Sequence, residues 1–243
     1  MKTLIVIPAR MASKRFPNKP MTLIRGKPMI QRVWEKAISS SVGDVLVACS
    51  EVEVQDLIIS LGGKTQLTDP NIPSGTDRVY SAIEKKLNLN EYESIINLQG
   101  DMPLINSKDI EKVNFPLKQG FDIGTLVTNI KDADEAKDRN ITKVKVDWIK
   151  KEIIGKAIDF HKDVSFFKEK LLYHHVGIYS FRYETLKKFI SLQSSDNEKK
   201  RNLEQMRAID AQMSIGVGYI NNTPISIDTK EDLIKIKNYY NEK

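Results

Sequence analysis

The sequence predicts an α/β fold, a mainly parallel central sheet flanked by helices with a mixed second half. Three observations predict it. The runs "KTLIVI", "DVLVAC" and "SIINLQ" are continuously apolar over strand length, the pattern of strands buried on both faces. Segments with helical spacing separate them, and polar or glycine-bearing loops separate strand from helix.

In chain order, "KTLIVI" supplies the first strand. After "GKP", the segment "MIQRVWEKAISS" places Ile30, Val33, Trp34, Ala37 and Ile38 at helical spacing. "DVLVAC" is the next strand, and "EVQDLIISLGG" is a helix whose closing glycines suit a C-cap. "TDRVYSAIEKKL" reads as a third helix, capped by Thr76 and leading to the strand "SIINLQ". From about residue 123 strands dominate: "IGTLVTNI", "KVKVD", "EIIGKAIDF" and "YHHVGIYSF". Helices "YETLKKFISL" and "EQMRAI" follow, then strands "SIGVGYI" and "ISID" and a final helix from about 230 to 242. The polar stretch "SLQSSDNEKKRN", 191 to 202, is expected to be a surface loop. The expected organisation is a single domain over 1–243, with approximately 1–122 a nucleotide-type half and 123–243 a half that completes the site.

Composition narrows the class. A chain of 243 residues with 40% hydrophobic content can bury one substantial core. The net charge of +6 could suit a nucleic acid, but many of the lysines sit in mixed-sign segments such as "IEKKLNLNEYE", which read as solvated surface. Neither an aromatic-rich RNA-binding signature nor a zinc-finger spacing is present, so no nucleic-acid partner is expected. No apolar run approaches the roughly 18 residues of a membrane span, and "MKTLIVIPAR" reaches Pro and Arg too early for a signal peptide. The expectation is a soluble, cytoplasmic protein without membrane insertion. Cys49 is the only cysteine and reads as a small buried strand residue.

Three loops carry candidate chemistry. "IPARMASKRFPNKP" ends the first strand and places Arg10, Arg15 and Lys19 in a loop restricted by Pro17 and Pro20. At the carboxyl end of a strand in an open α/β sheet, such a loop can clamp phosphates through charge-assisted hydrogen bonds. Neither a Walker loop nor a dinucleotide fingerprint occurs, which weakens ATPase and dehydrogenase readings. "PSGTDR" leads into a helix, so its backbone amides with Ser74, Gly75 and Thr76 can hold part of a nucleotide. An ordinary capped turn has the same sequence. "INLQGDMP" ends a strand at Asp101, a candidate magnesium ligand or a turn-capping residue. "ISIDTKEDL" ends in Asp228, a second carboxylate or a helix cap.

Together the collinear segments "IPARMASKRFPNKP", "GKPMI", "SGTDR", "NLQGDMP", "HHVGIYSF", "LEQMRA" and "SIDTKEDL" resemble the 3-deoxy-manno-octulosonate (Kdo) cytidylyltransferases, from residue 4 to about 235. The resemblance implies a nucleotide-diphospho-sugar transferase-like fold, and CMP transfer from CTP to the anomeric hydroxyl of Kdo, with pyrophosphate released, for lipopolysaccharide biosynthesis. It implies Mg²⁺ held by Asp101 and Asp228, with Arg10, Lys19 and Asp101 catalytic. The nucleotide would be bound by Arg10, Arg15, Lys19, Ser74, Gly75, Thr76 and Arg78. The sugar would be bound by Gln99, Lys156, His175, Tyr179, Glu204 and Gln205, each of which also has an ordinary structural reading. It further implies a homodimer, formed with the sugar-binding half from 123 to 243.

The chain departs from the family pattern in two places. "GDMP" carries Met102 where the family often has Glu, removing a charge beside the implied metal. "GKAIDF" carries Lys156 in place of an Arg that helps hold the sugar carboxylate, and the segment from 158 to 173 is shorter. An ammonium cannot copy the bidentate guanidinium fork. Another ulosonate such as 8-amino-Kdo is therefore an alternative substrate, and a non-catalytic sugar-nucleotide-binding regulator is the alternative class.

Overall fold

Parallel strands that are covered on both faces favour apolar side chains at nearly every position, and the first strand has them from Leu4 onward: β1 (Thr3–Ala9) is buried along nearly its whole length. The computed structural model describes residues 1–12, 16–84, 91–168, 171–229, 231–234 and 236. They fall into two units, Met1–Glu111 with Pro224–Lys243, and Lys112–Thr223. Among the described residues, no helix is long and apolar enough to cross a membrane.

In the first unit, β1 is followed by a hairpin of β2 (Leu23–Ile24) and β3 (Lys27–Pro28). Its turn residues Arg25 and Gly26 both have positive φ, 47° and 74°, the conformation of a tight two-residue hairpin turn that favours glycine. Next come α1 (Met29–Ser40), β4 (Asp44–Cys49), α2 (Val52–Ser60), β5 (Lys64–Leu67), α3 (Gly75–Glu84), β6 (Ser94–Asn97) and α4 (Ser107–Lys112). The strands lie in the order β5-β4-β1-β6 and are all parallel. The chain thus winds outward from β1 through β4 to β5, then crosses back to set β6 on the other side of β1. The loops after β1 and β6 part at that switch point, where open α/β sheets bind ligands.

In the second unit, α5 (Phe115–Lys118), β7 (Ile123–Asn129), α6 (Ala133–Lys137), β8 (Lys143–Lys150) and β9 (Ile154–His161) precede β10 (Tyr173–Phe181), α7 (Tyr183–Ser191), α8 (Asp196–Arg201), α9 (Met206–Asp210) and β11 (Ile215–Tyr219). The strand order is β10-β7-β11-β9-β8, with β8 also pairing with the start of β10. Among the described residues only β7 and β11 run parallel within it, so the expected mixture is present.

Three local expectations are corrected. Ser74, rather than Thr76, caps α3: its hydroxyl accepts from the Asp77 backbone N–H at 3.0 Å and donates to the Asp77 carboxylate at 2.7 Å. "ISID" is irregular rather than a strand, held by Ile227 N–H donating to the Asp101 carbonyl at 2.9 Å. The stretch 191 to 202 contains α8, whose Ser195 and Glu198 form a reciprocal capping box. The predicted final helix is helical at 231–234 and 236, and its remainder lies outside the described residues. The third helix likewise continues in the prediction beyond Glu84 into residues that are not described.

Cys49 is fully buried on β4, and burial pushes its thiol up to about 11. The α8 capping box has a longer reach. Glu198 also accepts from Arg207 Nε at 2.8 Å and Nη2 at 2.6 Å, which ties α8 to α9 beside Glu204 and Gln205. Ser195→Ala is therefore predicted to lower stability by ~1 kcal/mol in urea unfolding, as loss of a helix N-cap does.

Candidate active site

The site of the first unit follows from strand register. Thr3 to Val6 of β1 pair with Ser94 to Asn97 of β6, and Leu98 N–H donates to the Val6 carbonyl at 3.0 Å. The two chains therefore leave the sheet side by side. A Cβ on Gly100 would lie 2.8 Å from the Pro8 carbonyl oxygen, so only glycine allows the approach that carries the chain to Asp101.

A third segment reaches the same place from the far end of the chain. Phe16, Ile24, Met29, Ile227 and Ile236 form a buried apolar cluster, with Leu104, Ile225 and Leu233 packed against it. Ile227 is thus anchored one residue before Asp228. The helix cap that Asp228 might have made is made instead by Thr229 and Asp232: Thr229 N–H and Oγ1 both donate to Asp232 Oδ2 at 3.0 Å.

Between the two carboxylates lies Lys19. Its Nζ donates to Asp101 Oδ2 at 2.7 Å and to Asp228 Oδ1 at 3.1 Å. Burial works against the charged ammonium, but the two carboxylates outweigh it and raise the Lys19 pKa. Burial pushes the Asp101 carboxyl above its ordinary value; Lys19 opposes this and the neighbouring Asp228 reinforces it. The arrangement is a three-group ion cluster in which one cation sits between two carboxylates.

Lys19, Asp101 and Asp228 line an open cavity of about 230 Å³, together with Arg10, Ser74, Gly75, Arg78 and Gln99. Most of the predicted nucleotide-binding residues are therefore gathered around one cavity. Arg15 lies outside the described residues. Thr76 is buried in the first turn of α3, its hydroxyl accepting from Asn97 Nδ2 at 3.1 Å. Arg78 faces the cavity but donates to Thr68 Oγ1 at 2.5 Å and to the Asp69 carbonyl at 3.2 Å. It shapes the loop before α3 with the same guanidinium that faces the cavity.

Sequence reasoning missed Asn97. It is fully buried and accepts from Gln99 Nε2 at 2.7 Å, which orients the Gln99 amide. The available signal was a polar residue that follows the apolar pair Ile95 and Ile96 at the last position of the strand. Met102 is buried, so this departure from the family pattern fills apolar space.

The remaining predicted sugar-binding residues belong to the second unit. His175 and Tyr179 flank an irregularity in the β10–β7 register, with ring centroids 5.5 Å apart. Thr125 fills the irregularity: its hydroxyl donates to the Ile178 carbonyl at 2.8 Å and lies 3.1 Å from His175 Nε2. The hydroxyl proton being so engaged, His175 Nε2 is the donor to Thr125 and Nδ1 is an acceptor. Burial, helped by His174, lowers the His175 pKa to about 3, so the ring is neutral. Burial and the nearby Glu204 raise the Tyr179 pKa. Gln205 is buried at the start of α9, whereas Lys156 is exposed on β9, opposite Gly216 and Asp147. Among the described residues no group of three or more His, Cys, Asp or Glu is arranged to hold a metal.

A parallel sheet with a cationic cavity and paired carboxylates at the switch point defines a nucleotide-binding α/β protein of the nucleotidyltransferase type. A family model described as Cytidylyltransferase matches residues 4–215, and the chain belongs to that family. It is 38% identical over 231 residues to the 3-deoxy-manno-octulosonate cytidylyltransferase of Paramagnetospirillum magneticum, covering 95% of this chain and 94% of that one. It is 38% identical over 235 residues to the protein of the same name from Parvibaculum lavamentivorans, covering 96% and 91%. A solved structure of CMP:2-keto-3-deoxy-manno-octonic acid synthetase complexed with CTP superposes with a TM-score of 0.88 at 33% identity, over 100% of this chain and 99% of that one. UDP-glucose pyrophosphorylase, at 13% identity and a TM-score of 0.71 over the full length of both chains, shares the fold.

Neutral burial of His175 has a measurable consequence. The unfolded chain binds a proton at the ordinary value of 6.5, which the folded ring does not bind until about 3. Stability contributed by the neutral ring is therefore fully present above that ordinary value and falls as pH drops below it. His175→Gln is predicted to flatten the decline of stability between about pH 6 and pH 5 by up to ~1.4 kcal/mol per pH unit, measured by urea unfolding across that range.

Proposed function

We propose that this chain is a 3-deoxy-manno-octulosonate cytidylyltransferase, which transfers CMP from CTP to the anomeric hydroxyl of Kdo and releases pyrophosphate, a step that supplies lipopolysaccharide biosynthesis. The observation that carries the proposal is the Lys19 ammonium between Asp101 and Asp228 in a cavity that Arg10 and Arg78 also line. The related proteins named above support the choice of CTP and Kdo.

In the reaction, the anomeric oxygen forms a bond to the α-phosphorus, the bond from that phosphorus to the oxygen bridging it to the β-phosphorus breaks to release pyrophosphate, and the hydroxyl proton passes to solvent water. The protein contributes position and charge rather than a covalent intermediate. Arg10 and Lys19, with Arg15 by resemblance, neutralise the triphosphate and the departing pyrophosphate. The α3 entry at Ser74 and Gly75 lets the nucleotide approach the main chain. Gln99 in the first unit, and Lys156, His175, Tyr179, Glu204 and Gln205 in the second, are assigned to the sugar. His175 does so as a neutral hydrogen-bonding group.

Asp101 and Asp228 would hold Mg²⁺. Two carboxylates close enough to share one ammonium can share one cation, and Mg²⁺ commonly takes one or two carboxylates plus substrate phosphates. When bound, it supplies charge neutralisation at the phosphates and acidifies the attacking hydroxyl. The protein is further proposed to work as a homodimer in the cytoplasm. The exposed Lys156, where the family has Arg, favours a second reading in which the preferred sugar carries a different functional group, as in 8-amino-Kdo.

The test is formation of CMP-sugar and an equal amount of pyrophosphate from CTP with Mg²⁺, offering Kdo, 8-amino-Kdo and N-acetylneuraminic acid separately. Turnover with Kdo is expected; turnover with 8-amino-Kdo alone would relocate the specificity, and silence from folded protein with all three would refute the assignment. Asp101→Asn is predicted to lower kcat by roughly a hundred- to a thousandfold, while circular dichroism and the melting transition show an intact fold. Chelation by EDTA should abolish turnover and excess Mg²⁺ should restore it.

A further inference from the structure

The position of Lys19 bears on how metal and nucleotide enter. Its Nζ touches one oxygen of Asp101 and one of Asp228, at 2.7 Å and 3.1 Å. These carboxylates come from segments far apart in sequence, one after β6 and one beside the last helix. Without a cation between them they would repel each other in a partly buried setting. We infer that Lys19 is a placeholder for the divalent cation: its ammonium keeps the two carboxylates paired before substrate arrives and yields them when a nucleoside triphosphate gives it phosphate oxygens instead. This rests on the assignment of Asp101 and Asp228 as cation ligands in the proposed function.

The physical basis is competition followed by exchange. An ammonium and a divalent cation that share the same carboxylates repel each other, so nucleotide-free protein takes up the metal weakly. Arg10, Lys19 and Arg78 line the same cavity, and a triphosphate seated there offers Lys19 new acceptors within the site. Nucleotide and metal are then coupled ligands. Each strengthens binding of the other, and the coupling is reciprocal. Lys19 so acquires a role before chemistry that is separate from neutralising charge during it.

Binding of Mn²⁺, followed by electron paramagnetic resonance, tests this without turnover. Wild-type protein, Lys19→Met, Asp101→Asn and the Lys19→Met/Asp101→Asn pair are compared with and without α,β-methylene-CTP. Lys19→Met is expected to tighten nucleotide-free Mn²⁺ binding by about tenfold or more, and Asp101→Asn to remove that gain. In the wild type, the nucleotide analogue is expected to tighten Mn²⁺ binding beyond what the nucleotide binds alone. If Lys19→Met does not fold, Lys19→Gln takes its place, and the wild-type comparison stands without either.

A folded Lys19→Met protein with unchanged or weaker nucleotide-free Mn²⁺ affinity overturns the inference. So does a wild-type protein that binds Mn²⁺ equally well with and without nucleotide. Failure of the underlying assignment looks different: Asp101→Asn would then keep full Mn²⁺ affinity in the presence of the nucleotide analogue. In failure of the placeholder role alone, Asp101→Asn weakens Mn²⁺ binding while Lys19→Met changes nothing.

Discussion

One ammonium held by two carboxylates fixes the arrangement on which the rest of the site depends. Lys19 follows β1, Asp101 follows β6, and Asp228 comes from the chain's last segment. The parallel register of β1 and β6 sets the two loops side by side, and Gly100 lets the second pass close against the Pro8 carbonyl. The third is delivered by apolar packing: Ile227 and Ile236 are buried against Phe16, Ile24 and Met29. Exposed ion pairs add little to stability, and a partly buried cluster is limited by desolvation of its charges. The apolar cluster is therefore the better account of why the segments meet, and the charges of what the meeting can do.

That division suits nucleotidyl transfer. A phosphorus under attack by an alcohol needs its reactants in line and its oxygens neutralised, and little covalent help. The cavity offers cationic side chains, paired carboxylates and a helix entry without a bulky side chain at Gly75. The second unit differs in character. His175 is buried and neutral beside Tyr179, and the hydroxyl of Thr125 fixes its tautomer. Such groups would discriminate by hydrogen-bond geometry rather than by charge, which suits the polyol proposed above. Lys156 is the exception, an exposed cation assigned to a negatively charged sugar.

Much of this was legible in the sequence, for identifiable reasons. Runs such as "KTLIVI", "DVLVAC" and "SIINLQ" have few alternatives to buried parallel strands, and a basic loop after "KTLIVI" had to lie at the ligand-binding edge of the sheet. The cap at Ser74 was misplaced onto Thr76 because "SGTD" contains two possible caps, and only the Ser-to-Asp spacing distinguishes them. The Ser195 capping box was also present in the sequence but was masked by the high polarity around it. "ISID" alternates like a strand, yet its isoleucines serve a loop against the Phe16 cluster; no local pattern separates these cases. Nor did any local pattern show that Lys19 would bridge Asp101 and Asp228, since that contact spans most of the chain. The turning of the Arg78 guanidinium toward Thr68 and Asp69 is equally a matter of tertiary packing.

The proposed reaction is one direct displacement at the α-phosphorus by the sugar hydroxyl, with no nucleotidyl group ever attached to the chain. The most direct measurement is the stereochemical course with a single diastereomer of CTP carrying sulfur on the α-phosphorus. Inversion at phosphorus in the CMP-sugar product is the predicted result. Retention would mean two successive displacements and a covalent nucleotidyl intermediate, and would contradict the reading of Lys19, Asp101 and Asp228 as groups that act through charge and position alone.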